Sequence, residues 1–160
     1  MKRLTNESGL TLIELLATLA ITTMIGLVAY AVLYNGFKTY DRVKVETALR
    51  DEADIIMAEL ISHMYTLRTS DIQSKQLDEN NEGNYYLLLN SGEKLGFYQG
   101  KLYLNGDDGK ALQSDFIQLG KQTEIQERSE GQFHIILSLE WVSSGQTLTI
   151  ESEIGIIKDS

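Results

Sequence analysis

Between Leu10 and Phe37 the chain carries a single charged side chain, Glu14. At about 1.5 Å of helix rise per residue, the run 10–33 reaches about 36 Å, enough for a hydrocarbon core of roughly 30 Å. No other feature limits the fold as much, because a segment this apolar must lie in lipid or against other apolar helices. A carboxylate inside it costs roughly 2.5–3.5 kcal/mol on insertion scales, so Glu14 marks a functional position that needs a partner.

The rest of the chain narrows what that partner can be. The 160 residues suit one domain plus an appendage. The net charge of −9 argues against nucleic acid as a direct ligand, since phosphate binding requires clustered Lys and Arg. With no cysteine there is no disulfide framework, thiolate metal site or Cys nucleophile, and with no proline the turns rest on Gly, Asn, Asp and Ser.

Along the chain, residues 1–9 form a short polar leader with Lys2 and Arg3. The apolar segment 10–34 follows, and 35–68 keeps helical spacing. Val45, Leu49, Ala53, Ile56, Leu60, Met64 and Leu67 recur at steps of three and four, while Arg42, Glu46, Arg50 and Asp54 form a solvated ridge of alternating charge. This predicts one helix over 10–68, apolar all round at first and amphipathic afterwards. Residues 69–83, with Asp78, Glu79 and Glu82, read as a polar linker loop. From 84 to 160, short runs rich in Tyr, Leu, Ile and Phe alternate with Gly- and Asn-containing turns, which predicts an antiparallel β-meander. Its terminal hairpin alternates Thr147, Thr149, Glu151 and Glu153 against Leu148, Ile150, Ser152 and Ile154. A stripe on a helix and one apolar sheet face satisfy each other, so the fold class expected is α+β.

The stretch "SGLTLIELL", residues 8–16, resembles the N-terminus of type IV prepilins and pseudopilins: a charged leader ending in glycine, then an apolar helix with glutamate at its fifth position. Thr11, Leu12, Ile13, Leu15 and Leu16 fit residue by residue, and Leu10 stands where phenylalanine is usual. The resemblance implies that a prepilin peptidase cuts between Gly9 and Leu10 and that the new amino group of Leu10 is methylated. It further implies that Glu14 recognises the amine of a neighbouring subunit and that the partners are other pilin or pseudopilin subunits. The N-terminus would face the cytoplasm, with the helix in the inner or cytoplasmic membrane and the head extracytoplasmic, later within a surface or periplasmic filament. No cofactor is implied. In layout the chain is similar to J-type pseudopilins and W-type minor pilins. Such subunits serve type IV pili, competence pili or type II secretion pseudopili.

Two other readings of the N-terminus compete. A secretory signal would share Lys2 and Arg3, and "AYA" at 29–31 imitates a cleavage site, but its apolar region would be roughly 7–15 residues without an acid. An unprocessed anchor carrying an extracytoplasmic binding or sensor domain is the alternative from another class. Catalytic signals are thin: His63 and His134 have no second ligand at metal spacing, and no nucleophile-elbow pattern occurs. Asp107 and Asp108 in "NGDDGK" form a weak calcium candidate without the alternating spacing or distal glutamate of an EF-hand loop, and a hairpin turn rich in Asn, Gly and Asp is the preferred explanation. The sequence therefore reads as a filament subunit and not as an enzyme.

Overall fold

The computed structural model describes residues 11–77, 83–104, 109–110, 112 and 114–159. Among the described residues one helix, α1 (Leu12–Tyr65), is followed by a 3₁₀ turn (Thr69–Asp71) and eight strands. The strands are β1 (Ile72–Gln76), β2 (Tyr85–Leu89), β3 (Lys94–Tyr98), β4 (Lys101–Leu104), β5 (Ile117–Leu119), β6 (Glu124–Ser129), β7 (Gln132–Trp141) and β8 (Thr147–Gly155). The chain divides into two compact units at Val43/Lys44.

From Leu12 to Val43 the first unit is helix. Over 54 residues α1 rises about 81 Å. Its side chains from Thr11 to Lys44 are all exposed. Among the described residues it is the one helix long and apolar enough to cross a membrane. Its threonine hydroxyls are satisfied locally, as a low-dielectric surrounding demands. Thr18, Thr22 and Thr23 donate their hydroxyls to the carbonyls of Leu15, Thr18 and Leu19 at 2.9, 2.7 and 2.8 Å.

The second unit is the head, built on the expected stripe. Leu49, Ala53, Ile56, Leu60 and Met64 are at most 3 % exposed, and Met57 joins them. They share one core with Leu87, Phe97, Leu102, Ile125, Phe133, Ile135, Leu137 and Leu139 from the strands. Each fully buried aliphatic side chain there contributes about 1.5–3 kcal/mol by removal from water.

The α+β fold is as the sequence predicts, with two differences. The sheet is two four-stranded antiparallel sheets, and not a single meander: β1-β2-β3-β4 in order, and β5 and β6 on one side of β7 with β8 on the other. Residues 69–83, expected as a linker, hold the 3₁₀ turn and β1. That strand is an edge whose three central residues are exposed, so it shows no apolar alternation; backbone pairing with β2 makes it a strand. Within the meander, Gln99 (φ 51°) and Gly100 (φ 73°) close β3 on β4 with two left-handed residues, as a two-residue hairpin requires. Asn84 Oδ1 holds the unusual Gln99 by accepting its N–H at 2.8 Å.

In the second sheet β5 and β6 occupy one edge of β7 in tandem, opposite its C-terminal and N-terminal ends. Thr123 bridges the break between them: its Oγ1 donates to Ser138 O at 2.8 Å and accepts from Ser138 N at 3.1 Å. Both residues are 3 % exposed, so the side chain replaces a missing ladder rung that water could not fill.

Two clips close the head without a disulfide. Past β8, Ile157 pairs with the segment after the helix through Thr69 N–H to Ile157 O (3.0 Å) and Ile157 N–H to Leu67 O (2.9 Å). Asp159 Oδ2 then accepts from Thr69 Oγ1 at 2.8 Å and Ser70 N at 2.6 Å. These bonds, first from Thr69 and then from Ser70, with the Arg68 charge beside them, hold the Asp159 carboxyl below its ordinary range. The second clip joins β1 to β6, where Lys75 Nζ lies 2.6 Å from Glu127 Oε1. Partial burial of Glu127 opposes its ionisation, yet Lys75 and the Gly131 N–H at 3.0 Å outweigh it, so this carboxyl too sits below its usual value.

Candidate functional site

The site singled out by sequence is the start of α1. Gly9 and Leu10, the expected processing pair, lie outside the described residues, and the structure takes up the chain at Thr11. Thr11 and Glu14 form a capping box. Thr11 N–H and Thr11 Oγ1 both donate to Glu14 Oε2 at 2.9 Å, and Glu14 N–H donates to Thr11 Oγ1 at 3.3 Å. Threonine before the first helical residue with glutamate three positions later satisfies two backbone donors that a helix start leaves open. The carboxylate is also placed at the positive end of the helix dipole. Oε1 takes neither Thr11 bond. Sequence reasoning treated Glu14 as a group awaiting an external partner and missed this local one, although the T-x-x-E signal at 11–14 is legible.

Beyond the box the helix offers a surface with no polar recognition chemistry. Leu12, Leu19, Met24, Val32 and Phe37 are all more than half exposed. Tyr30 and Tyr34 stack at 6.3 Å between ring centroids, toward the end where Lys38, Arg42 and Lys44 begin. Aromatic rings followed by cations are the usual finish of a membrane-spanning segment. Contiguous apolar surface on this scale needs lipid or neighbouring helices around it.

The other candidates do not converge. His63 sits half-buried in the last turn of α1. His134 lies on β7, with Glu151 Oε2 3.4 Å from Nε2 and Glu153 Oε1 3.5 Å from Nδ1, one carboxylate at each end of the ring. Among the described residues no group of three or more His, Asp or Glu side chains is placed to hold a metal ion. Asp107 and Asp108 fall outside the described residues, as do Asp78, Glu79 and Glu82. A cavity of about 480 Å³ between the β5–β6 break and the β3–β4 turn is lined, among the described residues, by Tyr85, Leu119, Lys121, Thr123 and glycines, which form no acid–base pair.

Residues 4–30 match the prokaryotic N-terminal methylation motif. No curated protein and no solved structure matches the chain. The matched segment contains the capping box and most of the uncharged part of α1, so motif and geometry point to one place. Together with the apolar helix they support a type IV pilin-like subunit, a class whose role is structural.

Proposed function

We propose that the chain is a structural subunit of a type IV pilus, competence pilus or type II secretion pseudopilus, processed after Gly9 and assembled through α1. The carrying observation is coincidence: a methylation-motif match at 4–30 frames a helix whose one early charge, Glu14, sits in its first turn. Cleavage between Gly9 and Leu10 would free the α-amino group of Leu10. With a pKa of roughly 7.7–8.0 such an amine is mostly protonated in neutral water. Among packed apolar helices this cation and the Glu14 carboxylate of a neighbouring subunit stabilise each other where either alone would be disfavoured. The pair fixes the register in which helices stack.

The subunit's place is accordingly the cytoplasmic or inner membrane, N-terminus inside and head outside, until it enters the filament. A cysteine-free head and a long terminal hairpin suit the minor subunits, in the layout of J-type pseudopilins and W-type minor pilins. The test is to shear surface filaments from cells with and without the cognate prepilin peptidase and probe for the head. The chain should appear in the sheared fraction only when the peptidase is present. Retention in the membrane in both strains with residues 1–9 still attached would favour an unprocessed tether for a sensor or binding domain.

A further inference from the structure

The two sheets of the head turn opposite chemistry outward. On the first sheet, Tyr86, Leu88, Lys94, Tyr98, Lys101 and Tyr103 share the face away from the core, because their strand neighbours Leu87, Leu95, Phe97 and Leu102 are buried. None of the paired residues facing outward on β1–β4 is acidic. The Lys94 ammonium is held 3.6 Å from the Tyr98 ring centroid, with Tyr86 at 5.3 Å and Tyr103 at 5.8 Å. Tyr98 meets both other rings edge-on, at 82° and 75°. Cation–π attraction therefore fixes a long side chain in advance, and the face presents ammonium and phenol donors with little left to order.

On the second sheet, Glu124, His134, Ile136, Glu140, Glu151 and Glu153 share the outward face. The paired residues there include no lysine or arginine, and the one cation of β6, Arg128, sits exposed at its bulge outside the register. Ionised carboxylates only accept hydrogen bonds. His134, 9 % exposed beneath Glu151 and Glu153, leaves its Nδ1 without a hydrogen-bond partner. Glu151 and Glu153 stand two residues apart on β8 and Glu124 faces Glu151 across Ile136, so these three carboxylates repel each other, and opposite charge brought from outside relieves that repulsion.

We propose that these faces are the two halves of one contact between copies of this chain: the lysine–tyrosine face of one head docks on the glutamate face of the next. Donors meet acceptors and positive charge meets negative, which fixes register and orientation. Because the surfaces differ, the contact is heterologous. The inference rests on the filament-subunit reading only for what brings the heads side by side.

The absence of cysteine makes the contact directly testable. Ser74 and Thr149 are exposed, uncharged and on the outward faces of β1 and β8. Full-length Ser74→Cys and Thr149→Cys chains, differently tagged and co-expressed in membranes, are treated with a short flexible bis-maleimide. Mixed dimers should exceed either homodimer by about tenfold or more, and should fade at high salt. Adding Glu151→Lys and Glu153→Lys to the Thr149→Cys chain should remove the mixed dimer about tenfold or more, and Lys94→Gln with Lys101→Glu on the other chain should restore it. Equal yields of all three dimers, or no dimer while protease resistance shows folded heads, would overturn the proposal. So would loss of a different co-purifying subunit on charge reversal with no copy-to-copy link, since the occupant would then be another protein. Cross-linking is read on membrane-resident chains whether or not residues 1–9 are removed, so failed processing would sink the filament reading without touching this result.

Discussion

Glu14→Gln separates the cap from the charge. Glutamine at the same position keeps the capping box with Thr11, because its amide oxygen accepts the same bonds, while the negative charge is gone. Thr11→Ala does the reverse: it removes the capping hydroxyl and leaves the carboxylate. An N-cap is worth about 0.5–2 kcal/mol, so Thr11→Ala should weaken assembly by about 30-fold at most. Removing one partner of a buried ion pair costs about 3–5 kcal/mol, or roughly two to four orders of magnitude in association. Membrane insertion opposes neither result, since losing a carboxylate removes a cost of about 2.5–3.5 kcal/mol. The assay confirms the processed N-terminus of each variant and then quantifies its incorporation into sheared filaments against wild type. The order expected is wild type, then Thr11→Ala, then Glu14→Gln far below. Normal incorporation of Glu14→Gln, or a Thr11→Ala defect as deep as the Gln defect, would refute charge pairing and leave the cap as the role of this residue.

Further outcomes concern the head. Thr123→Val should destabilise it by about 1–3 kcal/mol, because the buried Ser138 N–H loses its partner while Ser138 O keeps the Gly120 N–H, whereas Thr123→Ser should be near neutral; denaturant midpoints of the full chain in detergent check this. Leu60→Ala, at a fully buried position, should cost about 2–5 kcal/mol, and Ile55→Ala, 37 % exposed on the same helix, far less by the same measurement. The two clips should respond to acid. Both carboxyls have native pKa values below their ordinary ones, so their stabilisation is complete above about pH 4 and is lost as pH falls through the lowered native values. The amide resonances of Ser70 and Gly131 should therefore titrate below the ordinary carboxyl range, and midpoints at or above it would contradict the clips.

What the sequence discloses follows from how local each feature is. The helix stripe from Leu49 to Leu67 is legible because burial repeats every three or four residues on one element, and the alternation of β8 is legible because one face is wet. β1 was not, since an exposed edge strand has no apolar pattern and is defined by its pairing with β2. The split into two sheets was not legible either: β5 pairs with β7 across two intervening turns and β6, a choice made by the core and not by local propensity. At the candidate site Glu14 stands out in the sequence as the one charge of an apolar run, whereas its bond to Thr11 belongs to a T-x-x-E helix start that many helices share. The opposed outer faces emerge only when the register is known, because Leu88 and Lys94, or His134 and Glu153, are paired across strands and not in a motif.

The most direct test of the filament-subunit reading is the mass of the chain's N-terminus, measured on protein from membranes that contain the cognate prepilin peptidase. Processing between Gly9 and Leu10 predicts a chain that starts at Leu10 with a methylated amine, and Gly9→Val should retain residues 1–9, because only glycine lets a peptidase approach the backbone this closely. A wild-type chain that keeps residues 1–9 in the presence of an active peptidase would contradict it.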